Sequence, residues 1–205
     1  MPSLGHHPTR VIRRARDRVI VAALRWEWRT FGEQFGEADQ RLGSMHPERV
    51  AESDETYLLS AEGVDAVKVR DGLMDVKHLE QVDDDGLELW QPVMKSALPI
   101  SAGDARAVLA ALRVSAPLDR GTYDLAELVA AAEGAVSVVP VHKTRRHCTI
   151  GGCMAELTDL RTGDRSTRTI AIESEEPALV IAAVRELRLG SRPNVSVPRG
   201  LRALL

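Results

Sequence analysis

Segment after segment of this chain alternates apolar residues with charges of both signs, and that alternation restricts the fold more than any other feature. Side chains of a β-strand point to opposite faces with a period of two. In Arg25-Trp-Glu-Trp-Arg29 the tryptophans share one face, while Arg25, Glu27 and Arg29 share the other. Ala66 to Asp71 repeats the pattern with valines opposite Lys68 and Arg70, and in Leu73 to Leu79 the residues Asp75, Lys77 and Leu79 oppose Met74, Val76 and His78. Within Ala135 to His147, Val141, Lys143 and Arg145 share one phase, and His142, Thr144 and Arg146 the other. In Thr169 to Glu175 the residues Thr169, Ala171, Glu173 and Glu175 lie opposite Ile170, Ile172 and Ser174. Two carboxylates on one strand face repel each other unless a divalent cation or neighbouring Lys and Arg side chains sit between them. A sheet of such strands has one packed face and one charged face. Two arrangements satisfy the pattern. An open sheet leaves the charges in water, and a closed barrel that turns them inward makes a charged tunnel suited to a metal-chelated polyanion.

The segments between these strands supply turns and helices. Val19 to Arg29 reads as one continuous strand, Phe31 to Ser53 as a polar loop with a short helix, and Thr56 to Ser60 and Leu87 to Trp90 as short strands. Asp71-Gly72 has the composition of a hairpin turn. Helical spacing appears over Pro99 to Leu112, with Ser101 as N-cap, and over Tyr123 to Ala132. Gly151-Gly152 turns the chain into a return strand over Cys153 to Leu160, and Thr162-Gly-Asp164 turns it again. Glu176-Pro177 opens a helix whose apolar face is Leu179, Val180, Ala183, Val184 and Leu187, and the residues from Asn194 to Leu205 form a Pro- and Gly-punctuated tail. Hairpins interrupted by helices describe an antiparallel α+β fold and exclude a doubly wound parallel sheet.

Composition sets the remaining limits. A chain of 205 residues with 44% hydrophobic content supports one domain, here taken as residues 19–205 behind a basic N-terminal extension over residues 1–18. A net charge of −3 argues against a general nucleic-acid binder. The two cysteines, Cys148 and Cys153, have neither zinc-site spacing nor the density of a disulfide framework, which points to reduced thiols and a cytoplasmic setting. No apolar run approaches membrane-spanning length. Trp26, Trp28 and Trp90 read as packing residues beneath helices, and Asp83 to Asp85 as a solvated turn. None of His78, His142 and His147 is assigned as a general base.

Taken in order, Arg25-Trp-Glu-Trp-Arg29, Asp54-Glu-Thr-Tyr57, Lys68-x-Arg70, Lys77, Lys143-x-Arg145, Glu156-x-x-Asp159 and Glu173-x-Glu175 resemble the CYTH superfamily of triphosphate tunnel metalloenzymes. The resemblance implies a closed or nearly closed antiparallel eight-stranded β-barrel with flanking helices. It implies binding of a triphosphate-bearing substrate with Mg²⁺ or Mn²⁺ and metal-dependent hydrolysis. Candidate substrates are inorganic triphosphate, thiamine triphosphate, a nucleotide or an RNA 5′-triphosphate end. Carried over, Glu27, Glu173 and Glu175 are the metal ligands, and Arg29, Lys68, Arg70, Lys77, Lys143 and Arg145 hold phosphates. Glu156 or Asp159 adds a carboxylate near the metal or orients a basic residue. The chain departs from the family's opening Glu-x-Glu-x-Lys at two places, with Arg25 in place of the first Glu and Arg29 in place of the Lys. Arg25 motivates a second expectation: a non-catalytic polyphosphate- or nucleotide-binding module that has lost full metal ligation.

Overall fold

The computed structural model describes residues 11–13, 19–21 and 23–205, with side chains from residue 23 onward. Most of the basic extension lies outside the described residues. In chain order the elements are β1 (Val11–Arg13), β2 (Val19–Val21), β3 (Arg25–Gly32), α1 (Glu37–Ser44), β4 (Arg49–Leu59), β5 (Ala66–Arg70), β6 (Leu73–Val82) and β7 (Glu88–Ala97). There follow β8 (Ile100–Ser101), α2 (Ala102–Ala111), β9 (Thr122–Tyr123), α3 (Leu125–Ala131), β10 (Ser137–Ile150), β11 (Cys153–Thr162), β12 (Arg165–Ser174), α4 (Pro177–Glu186) and α5 (Val197–Leu204).

Eight of the strands form a closed antiparallel barrel in the order β10-β11-β12-β3-β7-β6-β5-β4, with β4 pairing back onto β10. β1 pairs with β2 and β8 with β9 as separate two-stranded pieces. Closure settles the choice between the two arrangements: the charged faces point into the barrel and the apolar faces point out, beneath helices. On one side Trp28, Leu157, Ile170 and Ile172 pack under Ala38 and Leu42 of α1 and Val180, Ala183 and Val184 of α4. On the other, Leu58, Val67, Met74 and Val76 pack under Ala105, Val108 and Leu109 of α2 and Leu128 of α3. Each buried Val, Leu, Ile or Met side chain among them contributes about 1.5–3 kcal/mol.

Local signals explain where the helices start. The Ser101 hydroxyl accepts from the Asp104 N–H at 3.1 Å, the N-cap expected from sequence. Asp124 and Glu127 close a reciprocal capping box at the start of α3. Pro177 sits in the first turn of α4, where its missing N–H costs nothing.

Four features differ from the sequence expectation. The first strand is not continuous: β2 ends at Val21 and β3 begins at Arg25. β4 begins at Arg49, so its first five residues fall in what reads as loop, because Val50, Glu52 and Asp54 on the outer face are as solvated as a loop would be. β7 runs on to Ala97 through Pro92; a register shift between Val76 and Lys77 of the partner strand accommodates the residue that cannot donate. The tail is a helix, α5, with Pro198 in its first turn.

Helix α5 packs across one end of the barrel. Leu201 is fully buried against an inner apolar cluster of Tyr57, Leu59, Val139, Val141 and Leu160, with Val197, Leu204 and Phe31 beside it. The approach requires a glycine: a Cβ on Gly200 would run into the Phe31 ring. The stretch before α5 also mends a seam. β3 and β7 pair only over Arg25 to Glu27. Beyond that, Asn194 Oδ1 accepts from the Arg29 N–H at 2.7 Å, and its Nδ2 donates to the carbonyls of Glu27 at 3.3 Å and Gly86 at 2.8 Å. No helix among the described residues is long and apolar enough to cross a membrane. Cys148 and Cys153 are buried free thiols.

Candidate functional site

Plugged at one end by α5, the barrel encloses a cavity of about 470 Å³ whose lining includes Val197 and Pro198. The inward phase of each strand supplies the rest of the wall. Glu27 and Arg29 come from β3, Lys68 and Arg70 from β5, Asp75 and Lys77 from β6, Lys143 and Arg145 from β10, Glu156 from β11 and Glu173 from β12. Every phosphate-holding residue expected from sequence is therefore brought to one cavity, together with two of the three expected metal ligands.

The third, Glu175, is placed elsewhere. β12 ends at Ser174, and the chain bends toward Pro177 before the alternation reaches Glu175, which is exposed and does not line the cavity. Asp159 lies on the outward phase of β11, where it accepts from Arg168 at 2.9 Å, so Glu156 alone of that pair faces the cavity. Arg25 sits at the open end beside a smaller cavity of about 320 Å³ that shares Glu27, Lys77 and Glu173, and it donates to Met154 Sδ at 3.3 Å. Trp26 and Trp28 pack beneath helices as expected; Trp90 instead lines the cavity, because β7 continues beyond it and its phase is inward.

The wall is organised by two carboxylate centres. At the open end Glu27 and Glu173 are directly opposed across β3 and β12. Arg29 Nε donates to Glu27 Oε1 at 2.7 Å. Burial pushes the Glu27 carboxyl up, but the charges of Arg29 and Lys77 outweigh it and hold Glu27 below the usual range. Glu173, partly buried and facing the Glu27 charge, is pushed up by desolvation and by that charge. Lys77 gains from both carboxylates more than burial costs it, and its ammonium is favoured. Glu156 bonds Thr158 at 2.7 Å and faces Arg29 and Arg145; despite burial, those groups lower its carboxyl to about 2.

Deeper in, Glu55 is the centre that sequence reasoning missed. Its side chain has 0% exposure and meets Arg145 at 2.6 Å, Lys143 at 3.2 Å, Lys68 at 3.3 Å and Arg70 at 3.4 Å. The Tyr57 hydroxyl donates to it at 2.9 Å and in turn accepts from Lys143 at 2.7 Å. Burial would raise the Glu55 carboxyl, yet Lys143, Lys68 and Arg145 drive it far below the usual range. Burial lowers the Lys143 ammonium, and Lys68, Arg145 and Arg29 lower it further against the pull of Glu55, to about 7. The available signal was the phase Ser53-x-Glu55-x-Tyr57, which matches the inward phase of the neighbouring strands but begins inside a polar segment read as loop.

Among the described residues no group of three His, Cys, Asp or Glu side chains is placed to hold a metal by itself. Glu27 and Glu173, opposed across β3 and β12, are the two carboxylates that could hold a divalent cation arriving with phosphate oxygens, since Mg²⁺ is commonly held by one or two carboxylates, water and substrate.

No protein-family model matches this chain, and no curated protein matches it. Solved structures do. A proposed adenylate cyclase from Bacillus halodurans aligns with a TM-score of 0.50 at 13% identity over 90% of this chain and 100% of that one. A proposed adenylyl cyclase from Hippeastrum with a dominant triphosphatase activity aligns at 0.47 and 11%, over 89% and 96%. A conserved hypothetical protein from Pyrococcus furiosus aligns at 0.44 and 14%, over 80% and 91%. At this level of identity the first likeness speaks to the fold alone.

Proposed function

We propose that the barrel cavity binds a triphosphate-bearing small molecule and that the chain is a divalent-metal-dependent phosphohydrolase acting on it. Inorganic triphosphate, thiamine triphosphate and a nucleotide are the candidate substrates. One observation carries the reading: Arg29, Lys68, Arg70, Lys77, Lys143 and Arg145 converge on a single enclosed cavity with two directly opposed carboxylates at its open end. The sequence resemblance to the triphosphate tunnel metalloenzymes supports it independently.

The chain's own residues divide the work. Arg70, Lys68 and Arg145 offer N–H donors suited to non-bridging phosphoryl oxygens, and arginine presents a fork matched to them. Lys77, set against Glu27 and Glu173, stays charged beside the open end. A Mg²⁺ or Mn²⁺ ion held by Glu27 and Glu173 would neutralise charge as a phosphoanhydride bond breaks. The barrel wall and α5 exclude bulk water from the inner end and strengthen every charge interaction there.

The test is phosphate release from tripolyphosphate, thiamine triphosphate and ATP with Mg²⁺, with Mn²⁺ and with chelator. Release should fall at least a hundredfold in Glu173→Ala and stay within twofold in Glu175→Ala, whose side chain lies outside the cavity. No release by the unaltered protein with any of the three would remove the hydrolase reading. A second reading, binding without turnover, draws on Arg25, which puts a positive charge where a third carboxylate would complete the set. Tripolyphosphate binding that is indifferent to Mg²⁺, with turnover appearing in Arg25→Glu, would favour it.

A further inference from the structure

Glu55 has more partners than a ligand-binding carboxylate can use. A carboxylate offers about four lone-pair sites. Oε1 already faces Arg145 at 2.6 Å, Lys68 at 3.3 Å and Arg70 at 3.4 Å, while Oε2 faces Lys143 at 3.2 Å and the Tyr57 hydroxyl at 2.9 Å. Saturated and without solvent exposure, it is poorly placed to hold a metal or to take a proton from a reacting water. Its four cationic partners are long side chains from β5 and β10, which would otherwise repel one another and sample many rotamers.

We propose that Glu55 is a positioning residue, a saturated internal anion that holds the head groups of Lys68, Arg70, Lys143 and Arg145 at one level of the cavity so that a phosphate chain meets donors already aligned. The inference rests on the reading of the cavity as a polyphosphate site and adds a residue to it. Preorganised donors bind more tightly because less freedom is lost when the ligand arrives. Glu55 is thus a negative charge that strengthens the binding of an anion.

Simple Coulomb reasoning gives the opposite sign, which makes the idea testable. Removing a negative charge from an anion site should tighten binding if charge alone matters. Lys143 shows why it should weaken instead. Facing Lys143 are Glu55 and Tyr57 from β4, Lys68 from β5, Arg29 from β3, Glu156 from β11, and Arg145 on its own strand. Below pH 7, where Lys143 beside Glu55 is mostly charged, loss of Glu55 would let the surrounding cations drive that proton off, so the cluster would lose positive charge along with the negative one, and its alignment besides.

The experiment is calorimetric titration of sodium tripolyphosphate without divalent metal at pH 6, where Lys143 of the unaltered protein is mostly charged, in two buffers of different ionisation enthalpy. Glu55→Gln should bind at least tenfold more weakly than the unaltered protein and take up more protons per ligand bound, the signature of Lys143 recharging. Equal or tighter binding would overturn the proposal. If Glu55→Gln alone does not fold, Glu55→Gln in a Lys68→Gln background is compared with Lys68→Gln. That background removes one of the mutually repelling cations, and the added change should again weaken binding, with tightening overturning the idea. Failure of the unaltered protein to bind tripolyphosphate would instead sink the polyphosphate reading itself, and this inference with it.

Discussion

The two ends of the barrel interior are built from the same strands and the same inward phase, yet they are different materials. Toward α5 the inward residues are Leu59, Val139, Val141 and Leu160, closed over by Leu201. Toward the open end the same strands present Ser53, Lys143, Arg145 and Glu156, with Glu55 buried behind the cations. Tyr57 stands at the boundary, its ring in the apolar cluster and its hydroxyl between Lys143 and Glu55. The alternation of a strand decides only whether a residue faces in or out. Position along the strand decides whether an inward residue holds the fold together or presents charge to a ligand. The two roles should therefore separate under mutation.

The largest expected effect belongs to the plugged end. Leu201→Ala removes a fully buried side chain from the seam between α5 and the inner wall. It should cost about 2–5 kcal/mol, the range for buried Leu truncations. Thermal or urea unfolding would show the loss, while tripolyphosphate affinity measured below the melting transition should change less than threefold. Equal damage to stability and affinity would mean that the two ends are one coupled unit.

A smaller effect tests the link between the ends. Arg199 from α5 donates to Glu88 at 2.7 Å, while Glu88 is 97% buried with its second oxygen unpartnered, and burial pushes its carboxyl up. Glu88 is also directly opposed to Glu27 across β3 and β7. Removing one partner of a buried ion pair leaves an uncompensated charge. Because the Arg199 side chain is half exposed, the expected cost of Arg199→Ala is nearer about 1–2 kcal/mol than the full buried-pair value. Glu88→Gln in the same background should recover much of it, and denaturant midpoints of the two variants check this. No recovery would show that Arg199 acts by packing rather than by charge.

How much of this was legible in the sequence follows the same division. Lys68, Arg70 and Lys77 were readable because Val67, Val69, Met74 and Val76 on the opposite phase pack under helices, so the period of two is unbroken; Lys143 and Arg145, with His142, Thr144 and Arg146 on the opposite phase, stood out by their Lys-x-Arg spacing after Val141. Glu55 was hidden because β4 enters the barrel with polar residues on both faces, where the alternation carries no signal. Glu175 was over-read because a period of two says nothing about where a strand stops; the bend before Pro177 ends it one residue early. The plug was missed because Pro198 and Gly200 read as breakers. One occupies a first turn, where Pro is tolerated, and the other admits the Phe31 ring.

The charged end should reveal itself by a pH dependence whose sign differs between folding and binding. Lys143 has its ammonium lowered to about 7 in the folded chain, chiefly by burial and then by Lys68, Arg145 and Arg29. The unfolded chain keeps the ordinary lysine value of about 10.4. Between those two values the unfolded state binds the extra proton, so this group's contribution to stability rises with pH. Anion binding favours the protonated lysine, so affinity for tripolyphosphate should fall as pH rises past about 7. Tripolyphosphate gains charge over the same range, so the informative quantity is the difference from Lys143→Arg, which stays charged throughout. We expect the unaltered protein to lose a further threefold to tenfold in affinity relative to that variant between pH 6 and 8.5, up to about 1.4 kcal/mol. Its unfolding midpoint should meanwhile gain relative to Lys143→Arg as pH rises. If both measurements move in the same direction, Lys143 is not titrating in the cavity.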